Sequence, residues 1–245
     1  MWWVKQPAVA SAVVAVPEII RRSLLTGTRD ISGAVIVIDT FRAFSTAAYL
    51  FDRGVPRIVL TETLDEARAR SRSIPGSILC GEVGGRRPDD FTLGNSPVEV
   101  RAFASLEGRV AVMRTSSGTR SVVGALRSGA HPVYAASLVV AEATATAVRN
   151  ETRVTIVASG LGGTDIADED EETAGLIADR IIGRPADPDT VARVRSGEGA
   201  HRLRATPWID PLELDLCLAV DRFAFALEAH IQGGVPTLER SAGDR

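Results

Sequence analysis

Asp39 and Arg42 stand three residues apart, directly after the apolar run Ala34-Val-Ile-Val-Ile38. A carboxylate can hold a metal ion and a guanidinium can hold a phosphate, so the pair suggests chemistry on an anionic substrate. Ser45 and Thr46 follow on what reads as the next helix. Acids close two further apolar runs, Glu62 after Thr61 and Glu82 after Gly81, where a solvated turn would not need them. Thr115-Ser116-Ser117-Gly118-Thr119-Arg120 reads as an anion cradle. Its small residues let backbone N–H groups converge, a helix start adds a favourable dipole, and Arg120 adds charge. The same loop also suits an ordinary hydroxyl cap with a glycine turn. Asp168-Glu169-Asp170-Glu171-Glu172 opens another helix. A solvated, dipole-matched terminus explains such a run; metal ligation competes with that reading if the segment reaches Asp39.

Several chemistries are excluded by pattern. No GxxxxGK[ST] loop and no GxSxG elbow occurs. Phe41 stands where a haloacid-dehalogenase phosphatase places its second aspartate, and Cys80 lacks the loop ending in arginine that a cysteine phosphatase needs. His131, His201 and His230 form neither a metal pair nor a triad by spacing. Gly160-Leu-Gly-Gly163 follows a strand, but the GxGxxG fingerprint is incomplete.

Elements that could position these residues alternate along the chain. Strands are predicted at 34–38, 57–61, 77–81, 109–114, 132–136 and 153–158, the first as a strand buried on both faces. Helices are predicted at 43–53, 63–73, 121–127, 139–149, 169–182 and 187–195. Thr63-Leu-Asp-Glu66 reads as a capping box, and Asp210-Pro211 as the start of a last helix running to His230. Residues 83–108 break the alternation; Phe91 and Leu93 within them argue for an ordered loop that packs down. The pattern predicts an α/β fold with a mixed or parallel sheet, helices on both faces, and two lobes (1–128 and 129–232), followed by a loose tail at 233–245. Parallel strands would bring the polar tips to one sheet edge.

Composition narrows the function classes. The 245 residues carry 28 basic against 31 acidic side chains, a net charge of −3, with scattered arginines. That argues against nucleic acid and acidic membranes as partners. No apolar run of about 18 residues is present, so no membrane span is expected, and the first twelve residues make a poor secretory signal. Cys80 and Cys217 lie far apart in apolar runs without metal-ligand spacing, which fits buried thiols in a reducing cytoplasm.

With these residues in view, the chain resembles the 2-phosphosulfolactate phosphatase (ComB-like) family over about residues 34–221. The resemblance rests on Asp39-Thr-Phe-Arg42-Ala43, on Gly81-Glu82-Val-Gly84-Gly85, on Phe91-Thr-Leu-Gly94-Asn95-Ser96-Pro97, on Thr115–Arg120, on Glu169-Asp170 before Ala174-Gly175, and on Leu214-Asp215. It implies a Mg²⁺-dependent hydrolase that cleaves the phosphate ester of 2-phospho-3-sulfolactate, a step toward coenzyme M. It also implies a mixed α/β fold with the site between lobes, and a homodimer. Two departures bear on substrate recognition. Ser117 replaces the family's usual asparagine, and Ala136-Ser137-Leu138-Val139-Val140-Ala141 lacks the amide of a Gly-Ser-x-x-Asn-Ala pattern. Removing hydrogen-bond donors redirects specificity more than it removes metal and phosphate handling.

The expectation is metal-assisted hydrolysis of a small anionic phosphate monoester. Asp39, Glu82, Glu169 and Asp170 would hold Mg²⁺, with Asp39, Arg42 and Glu82 as the catalytic set. Arg42, Arg120 and the amides of Ser116–Thr119, with Thr115 beside them, would bind oxyanion oxygens; Thr46, Asn95 and Ser96 would orient the substrate. The alternatives are a phosphatase for another small acidic phosphoester and a non-catalytic anion-binding homologue.

Overall fold

A run of β-branched residues with no polar interruption must be covered on both faces, and Ala34–Ile38 is buried at every position. The computed structural model describes residues 16–242, so the expectation about residues 1–12 lies outside the described residues. In chain order the elements are β1 (Glu18–Ser23), β2 (Ala34–Ile38), α1 (Ala43–Asp52), β3 (Ile58–Thr61), α2 (Leu64–Ser73), β4 (Ile78–Gly81), α3 (Pro97–Ala102), β5 (Ala111–Arg114), α4 (Gly118–Arg127) and β6 (Val133–Ala136). A 3₁₀ turn at Leu138–Val140 leads into α5 (Ala141–Ala147), then β7 (Arg153–Ala158), α6 (Asp168–Ile181), α7 (Thr190–Ser196), α8 (Glu198–Ala205), α9 (Leu212–Cys217), β8 (Phe225–Gln232) and β9 (Val235–Ala242).

Among the described residues these strands form one nine-stranded mixed sheet in the order β1-β7-β2-β6-β8-β9-β3-β5-β4. β1, β7, β2 and β6 are mutually parallel, and so are β3, β5 and β4. The β8–β9 hairpin joins the two blocks through antiparallel ladders on either side. Three successive antiparallel pairings give the two blocks opposite senses along the sheet. Their carboxyl ends nevertheless meet, because Gly118 after β5 donates to Asp39 after β2. Only a strongly coiled sheet reconciles the two, in keeping with the fixed hand of strand twist. Helix α4 lies where both blocks reach it, against β2, β6 and β8 as well as β3 and β5.

The α/β class and the mixed sheet expected from the sequence are present. The sheet does not divide at residue 128, since β2 pairs with both β6 and β7 from beyond that point. Two expectations at the C-terminal end are corrected. The helix predicted from Pro211 to His230 stops at Cys217, and residues 225–232 form a strand. Residues 233–242 of the expected tail are Gly233-Gly234, both at positive φ, followed by β9. Two such residues make the tight turn that a two-residue hairpin requires. The loop at 83–108 packs down through Phe91 and Leu93, both buried, but it also contains α3, started by Ser96 with Pro97 behind it. Helix α8 and strand β1 were not anticipated either. Thr63 caps α2 by accepting from the Glu66 N–H at 3.2 Å, while the Glu66 carboxylate reaches one residue further back than a capping box would, to the Glu62 N–H.

Cys80 and Cys217 are free and buried. Burial pushes the Cys217 thiol up to about 12 and the Cys80 thiol higher still, so neither is poised as a nucleophile. No helix among the described residues is long and apolar enough to cross a membrane.

The hairpin places Leu238, fully buried, between Ala229 of β8 and Ile58 of β3. Leu238→Ala should lower stability by about 2–5 kcal/mol in chemical denaturation. A change under about 0.5 kcal/mol would mean that β9 does not close the sheet.

Candidate active site

Asp39 caps the end of β2 and begins the turn into α1. Its carboxylate accepts from the Ala43 N–H at 3.0 Å through Oδ1 and from the Gly118 N–H at 2.9 Å through Oδ2. The second contact needs glycine: a Cβ at position 118 would stand 2.7 Å from Asp39 Oδ2 and 3.0 Å from the Phe44 ring. Burial pushes the Asp39 carboxyl up to about 6; the Ala43 amide opposes that shift and the charge of Glu82 adds to it.

The acidic start of α6 docks on the same strand end. Asp170 accepts from the Thr40 N–H at 2.8 Å and from the Gly160 N–H at 3.0 Å. Thr40 and Thr173 hydroxyls meet at 2.9 Å. The run of acids is therefore not a solvated helix terminus at this point: Glu169 and Asp170 are both buried. Burial, reinforced by Asp39 and Glu169, holds the Asp170 carboxyl well above the usual range. Glu169 rises to about 8, mainly through burial, and its Oε1 lies 3.6 Å from Arg202. Asp168 turns away to accept from the Glu198 and Gly199 N–H groups.

Glu82 follows β4 and accepts from the Gly85 N–H at 2.7 Å, from the Ser116 N–H and from the Ser116 hydroxyl. Arg114 donates to the Glu82 carbonyl at 2.7 Å and fixes the turn. Thus the 115–120 loop is an anion cradle, but the anions it holds are carboxylates of the protein itself. The Ser116 amide takes Glu82, the Gly118 amide takes Asp39, and the Thr119 amide takes the Thr115 hydroxyl. Of the four amides expected to bind substrate, Ser117 N–H alone lacks an acceptor among the described residues. The Ser117 hydroxyl donates to the carbonyls of Ser159 or Gly160, at 3.0 and 2.7 Å.

A cavity of about 490 Å³ gathers Asp39, Arg42, Glu82, Asn95, Ser116, Ser117, Glu169 and Asp170, and Arg202, Leu161, Leu203, Trp208 and Ile209 also line it. A second cavity of about 350 Å³ adjoins it and shares Arg42, Gly85, Asn95 and Trp208. Ser96 lines that second cavity. The expected binding residues Thr46, Thr115, Gly118, Thr119 and Arg120 line neither. Thr115 and Thr119 satisfy each other through N–H and hydroxyl contacts. Arg120 reaches back along its own helix to the Ser116 carbonyl, so its charge does not enter the site. Thr46 is fully buried in α1 with an unpartnered hydroxyl. Glu62 pairs with Arg127 instead. Leu138–Val140 are fully buried and outside both cavities; the carbonyls of Leu138 and Val139 anchor the N–H groups of Asp221 and Phe223. The departure there is one of packing, not of substrate contact.

Glu213, at the start of α9, had no sequence signal beyond an acid in a helix's first turn. It is 1% exposed and pairs with Arg42 at 3.3 Å. Ser96 Oγ donates to the same Glu213 oxygen and also accepts from the Glu99 N–H at 3.0 Å, which ties α3 and α9 to the guanidinium. Gly160 was marked only as part of an incomplete glycine fingerprint, yet its amide holds Asp170.

Among the described residues no three acidic, histidine or cysteine side chains converge into a ready-made metal cage. The donors still suit a hard cation that keeps its waters and uses one or two carboxylates with substrate phosphate. The four buried acids of the cavity offer only oxygen, and Glu169 Oε2 is buried without a hydrogen-bond partner.

The model of the 2-phosphosulpholactate phosphatase family matches residues 20–198. A Thermus thermophilus protein named probable 2-phosphosulfolactate phosphatase is 36% identical over 208 residues, 82% of this chain and 81% of the relative. Proteins of the same name from Deinococcus radiodurans and Bacillus subtilis are 39% and 29% identical; the matches cover 60% and 84% of this chain, and 61% and 90% of the relatives. The site built at the ends of β2, β4 and β5 and the start of α6 belongs to a chain that is a member of the 2-phosphosulpholactate phosphatase family, a family of phosphoric monoester hydrolases.

Proposed function

We propose that this protein hydrolyses the phosphate monoester of 2-phospho-3-sulfolactate, or of a close acidic analogue, in a Mg²⁺-dependent reaction that yields the 2-hydroxy acid and phosphate. The observation that carries the reading is one cavity bounded by four buried carboxylates and a buried arginine, Arg42, in a chain of this family. Non-catalytic anion binding would gain nothing from the acids, which repel a phosphate unless a cation stands between them. That argues for turnover over the binding-only alternative.

Asp39, Glu82, Glu169 and Asp170 are the residues that would hold Mg²⁺, directly or through water. The chemistry a bound Mg²⁺ supplies is charge compensation on the phosphoryl oxygens and orientation of the attacking water. Arg42 donates to the phosphoryl oxygens; its ion pair with Glu213, which Ser96 in turn holds, fixes the guanidinium before substrate arrives, which lowers the reorganisation cost. The free Ser117 N–H and the Asn95 side chain, whose Oδ1 has no partner, are the remaining polar groups that would orient the ester. Leu161, Leu203 and Ile209 add an apolar part to the cavity lining. The family resemblance supports the further reading of a dimer, and two buried, unpaired cysteines are compatible with a reducing cytoplasm.

Phosphate release from a monoester panel should require Mg²⁺ and cease with chelator, and Asp39→Asn should lower kcat/KM by about a hundredfold or more. Retention of wild-type turnover in that variant would remove Asp39 from the reaction. Gly118→Ala should lower turnover by at least about tenfold while the protein stays folded, because the added methyl must displace the Asp39 carboxylate. Unchanged turnover, measured on protein with a native circular-dichroism spectrum, would show that the Asp39 position is not critical.

A further inference from the structure

Four arginines line the two adjoining cavities, and three of them lie within 4 Å of a carboxyl group. Arg42 faces Glu213 at 3.3 Å, Arg87 faces Glu99 at 3.2 Å, and Arg202 faces Glu169 at 3.6 Å. Arg86 is the exception: its guanidinium has no ion pair and no hydrogen bond among the described residues. Its position is nevertheless built. The guanidinium carbon lies 3.9 Å from the centroid of the Trp208 ring, a stacking distance. The backbone beneath it is a tight turn in which Val83 and Arg86 exchange N–H···O bonds of 2.9 and 3.1 Å across Gly84-Gly85. That turn is pinned on both sides. The Gly85 N–H donates to Glu82, and the Gly85 carbonyl accepts from Trp208 Nε1 at 3.2 Å. Trp208 and Gly85 line both cavities, so this turn stands at their junction.

An unpaired cation, held on an aromatic face at the junction between an acid-lined chamber and its neighbour, is suited to a second anionic group on the same ligand. We propose that Arg86, presented by Trp208, is a specificity-determining residue that binds the substrate's second acidic group, a sulfonate or carboxylate, while Arg42 serves the phosphoryl group. The proposal rests on the phosphatase reading above for the presence of a phosphate, but recognition of the second acid by Arg86 on Trp208 does not depend on turnover.

The experiment compares three monoesters that share a secondary phosphate: 2-phospho-3-sulfolactate, 2-phospholactate and isopropyl phosphate. In Arg86→Ala, KM for the sulfonated ester should rise about 10- to 100-fold, the scale of one charge-assisted hydrogen bond, with kcat within about twofold. KM for isopropyl phosphate should not move. Trp208→Phe should retain most of the discrimination, and Trp208→Ala should lose it. Calorimetry with sulfolactate itself, which requires no turnover, should show the same loss of affinity in Arg86→Ala. An equal effect on all three esters, or none on any, together with unchanged sulfolactate affinity, would overturn the proposal. If the wild type releases no phosphate but binds sulfolactate through Arg86, the phosphatase reading fails and the recognition role stands. A loss confined to 2-phospholactate and the sulfonated ester alike would assign Arg86 to the carboxylate.

Discussion

Four carboxylates withdrawn from water around one cavity repel one another, and the rest of this structure answers that cost. Backbone amides are the principal counterweight. Asp39 takes those of Ala43 and Gly118, Asp170 those of Thr40 and Gly160, and Glu82 those of Gly85 and Ser116. These amides come from four separated loops, after β2, β4, β5 and β7, so each acid also ties distant parts of the chain together. The compensation is partial. Asp39 stays raised to about 6, Glu169 to about 8 and Asp170 is raised as well, each chiefly by burial. A constellation that is still short of positive charge is what a divalent cation would complete.

The sheet makes that convergence possible. Had the nine strands formed a flat array, the antiparallel β8–β9 hairpin would have sent the ends of β2 and β5 to opposite edges. Coiling brings them within a hydrogen bond of each other, with α4 held between the two blocks. The hairpin is therefore part of the site's architecture although none of its residues lines the main cavity.

The sequence carried the local signals well and the long-range ones poorly. A five-residue apolar run ending in Asp39 can only be a covered strand with a polar tip, and Glu82 after Cys80-Gly81 repeats the logic. Residues 211–230 read as one helix. Leu214, Cys217 and Leu218 meet a helical period, but Phe225, Leu227 and Ala229 alternate as a strand does, and the Gly233-Gly234 turn with its β9 partner decides for the strand. The Ser/Thr loop was readable as an anion cradle. Which anions it cradles depended on β4 and β5 being neighbours, a pairing that local patterns do not encode. Arg120 and Glu213 illustrate the same limit from opposite sides: a cation beside the motif turned back along its own helix, and an unremarkable acid about 170 residues downstream of Arg42 became its buried partner.

The central claim is that a divalent cation and an oxyanion occupy one cavity at once, each lowering the cost of the other. Binding linkage tests it most directly, by calorimetric titration of Mg²⁺ with and without inorganic phosphate and of phosphate with and without Mg²⁺. The account predicts that each ligand tightens the other by the same factor, about fivefold or more, as thermodynamic reciprocity requires. Affinities that are independent of one another would place the two ligands at separate sites and contradict it.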